Sequence, residues 1–183
     1  MNNITKTLAH AKIHNFSKCL CFCCILISLG VHADIASMSH HTAATKLQNQ
    51  SNKQMTQEIL KLVNQYRLQY GLSALTMLED INIEARQNSL EMAQHHIPFG
   101  HAGFTARIKR LQKRLSYVYN GAENVAYRYK TAKIVVDGWM HSAGHKRNIL
   151  GKYNMTGIGL ARDANGYIYF TQLFLNQEIV EVI

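Results

Sequence analysis

The sequence predicts an α+β domain in which amphipathic helices come first and a β-hairpin lies near the C-terminus. The length of 183 residues fits one domain. In residues 54–70, apolar side chains recur at helical spacing and form one core-facing stripe. These side chains are Ile59, Leu62, Val63 and Tyr66. Two β-prone segments, 156–161 and 167–174, flank an Asn165-Gly166 pair, and this dipeptide is a strong short-range signal of a hairpin turn.

A targeting segment is predicted ahead of the domain. Residues 1–33 are basic and contain no acid, and an apolar run covers residues 20–31. That run is shorter than the about 20 residues that span a bilayer, and Ala33 is the small residue expected at a signal-peptidase site. Residues 1–33 are therefore predicted to be a signal peptide, with an uncleaved anchor as the alternative. The cleaved chain is expected to be secreted or periplasmic and to have no transmembrane segment.

The exported part of the chain is expected to lack cysteine and to remain basic. Residues 34–53 are rich in Ser, Thr, Ala, Asn and Gln without periodicity, which predicts a flexible linker before a domain at 54–183. The formal net charge is +9, and a basic surface favours anionic partners such as lipid headgroups, cell-wall polymers or nucleic acid. All the cysteines lie in the signal peptide, which excludes disulfides and thiolate chemistry from the cleaved chain. They are Cys19, Cys21, Cys23 and Cys24.

The first helix is followed by two shorter predicted helices. Gly71 suits the left-handed residue that commonly follows a helix end. The second helix is predicted over residues 80–95, with Asp80 as N-cap, and Pro98 prevents its continuation. Its inward-facing residues are Ile81, Ala85 and Met92. The third is predicted over residues 106–115 with Thr105 as cap. Its cations form either a solvated face or an anion-binding surface; they are Arg107, Lys109, Arg110, Lys113 and Arg114.

The following stretch contains the single tryptophan. Residues 117–119 are predicted to be a short strand and 121–126 a turn, in which a Glu123 carboxylate would either accept backbone N–H groups or serve a site. A fourth helix is predicted over residues 131–140, with Trp139 facing the core, and a helical turn over 146–150. Between them, His145 follows Gly144 and either packs structurally or sits at the edge of a cleft.

The order of the short motifs resembles the CAP superfamily, that of cysteine-rich secretory proteins, antigen 5 and plant pathogenesis-related proteins. Bacterial secreted members are the most similar. The resemblance covers about residues 59–174. It rests on Val63-Asn64-Gln65-Tyr66-Arg67 with Gly71-Leu72, His101-x-Gly103-Phe104, Glu123-Asn124-Val125-Ala126, Trp139-Met140-x-Ser142-x-Gly144-His145-x-x-Asn148-Ile149-Leu150, Gly157-Ile158-Gly159 and Tyr169-Phe170-Thr171-Gln172-x-Phe174.

The resemblance implies an α-β-α sandwich, with a small, mainly antiparallel sheet between helical layers, and a central cavity that holds a divalent cation, often zinc. His101, Glu123 and His145 match three of the four metal positions of that cavity. Ser142 stands where eukaryotic members usually have the second acid, so the set of ligands is incomplete. Ser142 and Asn124 are expected to line the cavity.

Two classes of function follow. Two imidazoles and a carboxylate can bind zinc and leave a position open for water, as in a metal-dependent hydrolase. The resemblance instead favours a non-enzymatic binding or effector module acting on anionic lipid, a cell-wall polymer or a host protein. A serine nucleophile at Ser142, assisted by His145 and Glu123, lacks the Gly-x-Ser-x-Gly elbow. Nucleic acid is not an expected partner, because the basic helix lacks interleaved aromatic residues and known motifs.

Overall fold

The sheet is built on the hairpin that the Asn165-Gly166 pair predicts. The computed structural model describes residues 23–178 of the chain, with side chains from Thr42 onward. Strands β3 (Met155–Arg162) and β4 (Ile168–Gln177) pair antiparallel. Asp163 closes the turn, because its Oδ1 accepts the backbone N–H of both Asn165 and Tyr167 at 2.9 Å. The hairpin prediction is confirmed, although both strands are longer than the β-prone segments.

Two further strands complete the sheet in the order β1-β3-β4-β2. Strand β1 (Thr76–Met77) is parallel to β3, and β2 (Val118–Tyr127) is antiparallel to β4. The predicted turn at 121–126 is wrong, since these residues lie inside β2. Their strand pattern is hidden because Ala122 through Ala126 are all buried, so the polar Glu123-Asn124 pair interrupts the alternation expected of a half-exposed strand.

Helices cover both faces of this sheet. One face is covered by α4 (Ala132–His141), by α5 (Ala143–Ile149) and by the part of helix α1 (Cys23–Gln69) that begins at Met55, and Trp139 there is 1% exposed. Helices α2 (Glu79–Ala93) and α3 (Phe104–Arg114) pack on the other. This arrangement confirms the predicted α+β class and the α-β-α sandwich with a mainly antiparallel sheet.

Helix α2 lies very close to strand β3. A Cβ on Gly157 or Gly159 would overlap the α2 backbone at Ile81 or at Ala85 and Arg86. The two glycines therefore let the helix approach the sheet more closely than any side chain would allow. The Gly157-Ile158-Gly159 motif thus has a packing role.

Residues 34–53, which the composition predicts as a flexible linker, are helical. They lie within helix α1 (Cys23–Gln69), since no glycine or proline occurs between Val31 and Tyr70 to interrupt it there. The chain divides into one unit up to Leu47 and a second from Gln48 onward. The packed core belongs to the second unit.

Several helix boundaries differ from the predictions. Helix α2 begins at Glu79, so Asp80 lies in its first turn rather than at the N-cap, which is Leu78. Helix α3 begins at Phe104 after Gly103, so Thr105 is not its cap. Gly71 has φ of 71°, as its predicted place after α1 requires.

Arg67 joins two segments of the chain at the end of α1. It is 2% exposed, and its guanidinium donates to the carbonyl oxygens of Ser73, Ile149, Gly151 and Tyr153 at 2.7–2.9 Å. Burial lowers the pKa of this guanidinium. The side chain fixes the segment between α5 and β3 and so helps to position the site above it.

The predicted signal peptide is largely outside the described part of the chain, since residues 1–22 are not described. Within residues 23–178, no helix combines the length and the apolar character needed to cross a membrane.

Candidate functional site

Glu123 is a buried carboxylate on strand β2, and its side chain is 1% exposed. Its Oε2 accepts from Arg107 Nε at 2.9 Å and from Nη2 at 2.7 Å, and its Oε1 accepts from Nη2 at 2.9 Å. His101 Nδ1 lies 2.9 Å from Oε1. Since a carboxylate only accepts hydrogen bonds, this contact places the His101 proton on Nδ1 and leaves the lone pair on Nε2. Glu123 therefore orients His101.

Arg107 belongs to this interior cluster. It is 4% exposed and also donates from Nη1 to the carbonyl oxygen of Ala102 at 2.8 Å, which holds the His101 loop against α3. The prediction that Arg107 contributes to an exposed anion-binding face is therefore wrong. The reason is that a buried carboxylate needs a buried counter-ion.

The other α3 arginines also have internal partners. Arg110 donates to Glu84 at 2.8 Å, and the Arg110 pKa is raised by that hydrogen bond. Arg114 pairs with Glu84 and lies 3.8 Å from Asp80. Among the described residues, only Lys109 and Lys113 of the predicted anion-binding set are exposed without such a carboxylate. Anion binding by this face therefore stays a prediction that rests on Lys109 and Lys113.

His145 lies on α5, which is held against β2 by two amide side chains. Asn124 Nδ2 donates to the His145 carbonyl oxygen at 3.2 Å, and Asn148 Nδ2 donates to Asn124 Oδ1 at 2.9 Å. Asn124 is 0% exposed. It positions the backbone of His145 and does not line the groove beside it, contrary to the prediction for Asn124.

The pKa of His145 is lowered, first because burial disfavours the charged imidazolium and second because His101 would repel that charge whenever both rings were protonated. A neutral His145 offers one ring nitrogen as an acceptor or a ligand.

A groove of about 350 Å³ opens beside His145. Ser142 lines it, together with Trp139 and Gly138 of α4. An added Cβ on Gly138 would lie 2.7 Å from the hydroxyl of Tyr129, so the missing side chain lets that ring form the wall. The remaining lining residues are Phe99, Val125, Ala126 and Tyr127. The groove thus has mainly apolar and aromatic walls with a histidine and a serine among them.

The residues support only part of the predicted metal site. Within the described residues, no three His, Cys, Asp or Glu side chains converge as a metal site, and both Glu123 oxygens bond to Arg107. Glu123 is thus not free to ligate. His101 does have the carboxylate on one ring nitrogen that commonly supports a histidine whose other nitrogen ligates a metal. The same contacts mean that Glu123 does not orient His145, so the Ser142–His145–Glu123 arrangement does not form.

A family model described as the cysteine-rich secretory protein family, CAP, matches residues 60–174. The chain belongs to the CAP family. Two Bacillus subtilis (strain 168) relatives are similar: the uncharacterized membrane protein YlbC is 30% identical over 135 residues, and the uncharacterized protein YkwD is 34% identical over 122 residues. The matches cover 72% and 66% of this chain but 36% and 46% of the relatives. The chain thus spans less than half of their length.

Solved structures share the CAP fold. A cysteine-rich secretory protein from Staphylococcus aureus and an SCP-domain extracellular protein from Bacillus anthracis each have a TM-score of 0.58 and 24% identity, and each covers 69% of this chain but 39% and 41% of those chains. An outer surface protein from Borrelia burgdorferi has a TM-score of 0.61 and 17% identity, over 69% of this chain and 96% of that one. At these identities the likeness shows the fold alone.

Sequence reasoning missed two features of the CAP site. The first is the Arg107–Glu123 ion pair, for which the only signal was a cation on the first turn of a helix near His101. The second is the aromatic wall of Phe99, Tyr127 and Tyr129. Strand β2 delivers Tyr127 to the groove, and the predicted turn at 121–126 concealed that strand.

Proposed function

We propose that this CAP domain is a non-enzymatic binding module that takes an apolar ligand into the groove beside His145. The observation that carries the proposal is the groove itself, in which aromatic rings surround one histidine and one serine. Its volume of about 350 Å³ lies at the lower end of the range of about 300–1,000 Å³ for small-molecule sites. Apolar walls supply affinity by the hydrophobic effect, and a neutral imidazole orients the ligand through one hydrogen bond.

The proposed place of action is outside the cytoplasm. The predicted signal peptide at 1–33 supports this location, and the similar structures include proteins described as extracellular and as an outer surface protein. The ligand bound there would be lipid, a cell-wall polymer or a host protein.

A divalent cation remains part of the proposal in a modified form. His101 Nε2 and a His145 ring nitrogen would hold it, and Glu123 would act only by orienting His101. Bound there, the cation would supply a positive charge at the mouth of the groove. Zinc titration of the wild type, His101→Ala and His145→Ala by calorimetry tests this, with weaker binding expected in both variants because each loses one of two ligands. Equal zinc binding by all three proteins would exclude the site.

The groove is tested with laurate as an apolar probe, because the only tryptophan, Trp139, lines the groove and reports its occupancy by fluorescence. Laurate is expected to change Trp139 emission in the exported chain. Gly138→Ala is expected to weaken laurate binding by about tenfold, since the new methyl group displaces the Tyr129 ring and reshapes the wall.

The matched control is Gly144→Ala on the neighbouring helix. A Cβ at Gly144 meets no atom within 4 Å, so this substitution leaves the groove unchanged. Laurate that leaves Trp139 emission unaltered, or equal affinities of the two glycine variants, would contradict ligand binding in the groove.

A further inference from the structure

Besides Lys109 and Lys113 of α3, a second group of cations without a carboxylate partner lies at the far end of strand β2. Arg128 and Lys130 follow β2, and Arg162 ends β3; all three line one pocket of about 250 Å³. Among the described residues, none that lines this pocket is acidic. The other lining residues are Tyr129, Asn165, Gly166, Tyr167 and Ile168.

Arg128 is held in place by its backbone and by two aromatic rings. Its φ is 69°, and its backbone N–H donates to the carbonyl oxygen of Ile168 at 3.0 Å. Its guanidinium carbon lies 4.5 Å from the ring centroid of Tyr167 and 5.0 Å from that of Tyr127. A guanidinium stacked on ring faces keeps its N–H edges available and loses little further freedom when it binds a planar acidic group.

The acid nearest to the pocket in sequence is Asp163, and no ion pair joins it to the three cations within the described residues. Its Oδ1 instead accepts the two backbone N–H groups that close the hairpin turn. Arg162 Nη1 donates to the carbonyl oxygen of Gly166 at 3.3 Å, which fixes the side chain to the hairpin without cancelling its charge. The three cations therefore come from two separate segments of the chain and surround a space that contains no counter-ion from the described residues.

We propose that this pocket binds the acidic group of an anionic saccharide. Arginine presents paired donors that match a carboxylate or a phosphate. Tyr167 is 41% exposed beside Arg128, and the part of its ring that Arg128 does not cover can attract the polarised C–H groups of a sugar. Because the three cations line one pocket of about 250 Å³ together with this ring, the arrangement suits a single acidic group on a sugar better than an extended membrane surface. The site is separate from the groove beside His145 and shares only Tyr129 with it.

The probe is tetragalacturonate, titrated by calorimetry into the exported chain at low and at physiological salt. Binding is expected, and it should weaken as salt rises because exposed charges are screened over about 8 Å at physiological ionic strength. The fully methyl-esterified tetramer, which keeps the sugar rings but loses the carboxylates, is expected not to bind. Absence of tetragalacturonate binding, or equal binding of the ester, would overturn the proposal.

Matched charge removals locate the site. Arg128→Asn with Lys130→Gln is expected to weaken tetragalacturonate binding by about tenfold or more, and asparagine tolerates the left-handed backbone at position 128. Lys109→Gln with Lys113→Gln removes the same charge from α3 and is expected to change the affinity less than about twofold. Equal losses in the two variants would show that net charge alone attracts the probe and would overturn the site.

Two further measurements are needed. The first distinguishes loss of the pocket from loss of the fold, and the second distinguishes a saccharide ligand from a membrane surface. Laurate-dependent Trp139 emission is expected to be unchanged in the Arg128→Asn, Lys130→Gln variant, which shows that the domain is folded and that the groove is intact. Vesicles containing anionic phosphatidylglycerol are the alternative partner. Binding of the wild type to these vesicles, with no binding to the saccharide and with loss in the same variant, would assign the pocket to a lipid surface and overturn the saccharide.

Discussion

Removing Arg107 tests whether the ion pair behind His101 stabilises the fold. The substitution Arg107→Met keeps most of the apolar stem but removes the guanidinium, and with it three N–H···O contacts to Glu123 at 2.7–2.9 Å. The Glu123 side chain is 1% exposed, so water cannot replace the lost donors without opening the structure. Among the described residues, His101 is then the one side-chain partner left to this carboxylate.

The expected loss of stability is large for a single substitution. Breaking a buried ion pair by removing one partner costs about 3–5 kcal/mol, because it leaves an uncompensated charge. The free energy of unfolding of a typical domain is about 5–15 kcal/mol in total. For a chain of this size, each kcal/mol moves the thermal midpoint by about 2–4 °C, so we expect Arg107→Met to melt roughly 6–20 °C lower.

The measurement is thermal and urea unfolding of the exported chain followed by circular dichroism. Lys133→Met is the control, since the Lys133–Asp137 pair lies at the surface and its loss should leave the thermal midpoint nearly unchanged. The double variant Arg107→Met, Glu123→Leu should recover much of the loss, because it removes the buried charge as well. A midpoint within about 2 °C of wild type for Arg107→Met, or a double variant less stable than the single one, would refute this reasoning.

Three further predictions concern other parts of the chain. Trp139→Ala should cost about 3–5 kcal/mol in denaturant unfolding, as for other buried aromatic truncations, and a thermal shift of only a degree or two would contradict its core role. Burial lowers the folded-state pKa of His145 below its value of about 6.5 in the unfolded chain. The stability that the neutral imidazole contributes is therefore fully present above that pH, and it is lost as the pH falls through the folded-state pKa. With chelator present, the free energy of unfolding should fall less between about pH 7 and 5 in His145→Gln than in wild type, and equal pH dependence of the two proteins would contradict this prediction. Intact mass of protein recovered outside the cytoplasm should correspond to a chain that begins at Asp34, and retention of residues 1–33 would defeat the signal-peptide prediction.

The sequence by itself determined the local elements. The spacing of apolar residues predicts α1, α2 and α4, because each helix buries one face. The Asn165-Gly166 pair predicts the hairpin, because few other residues adopt that turn. The order of short motifs identified the family, and thereby the layers of the sandwich. These signals are local, so a single chain contains enough information to read them.

The tertiary structure alone decided which polar residues meet. In the sequence, Arg107 cannot be distinguished from the other cations of a basic helix. In the fold, strand β2 places the buried Glu123 beside it, and Arg107 becomes the counter-ion of that carboxylate. Strand β2 could not be recognised in the sequence, because both of its faces are covered and its residues therefore lack the apolar–polar alternation that identifies a strand. Arg128 and Arg162 are distant in sequence, and only the pairing of strands places them around one pocket. Contacts of this kind depend on the sheet register and on burial, and neither can be read from the spacing of residues along the chain.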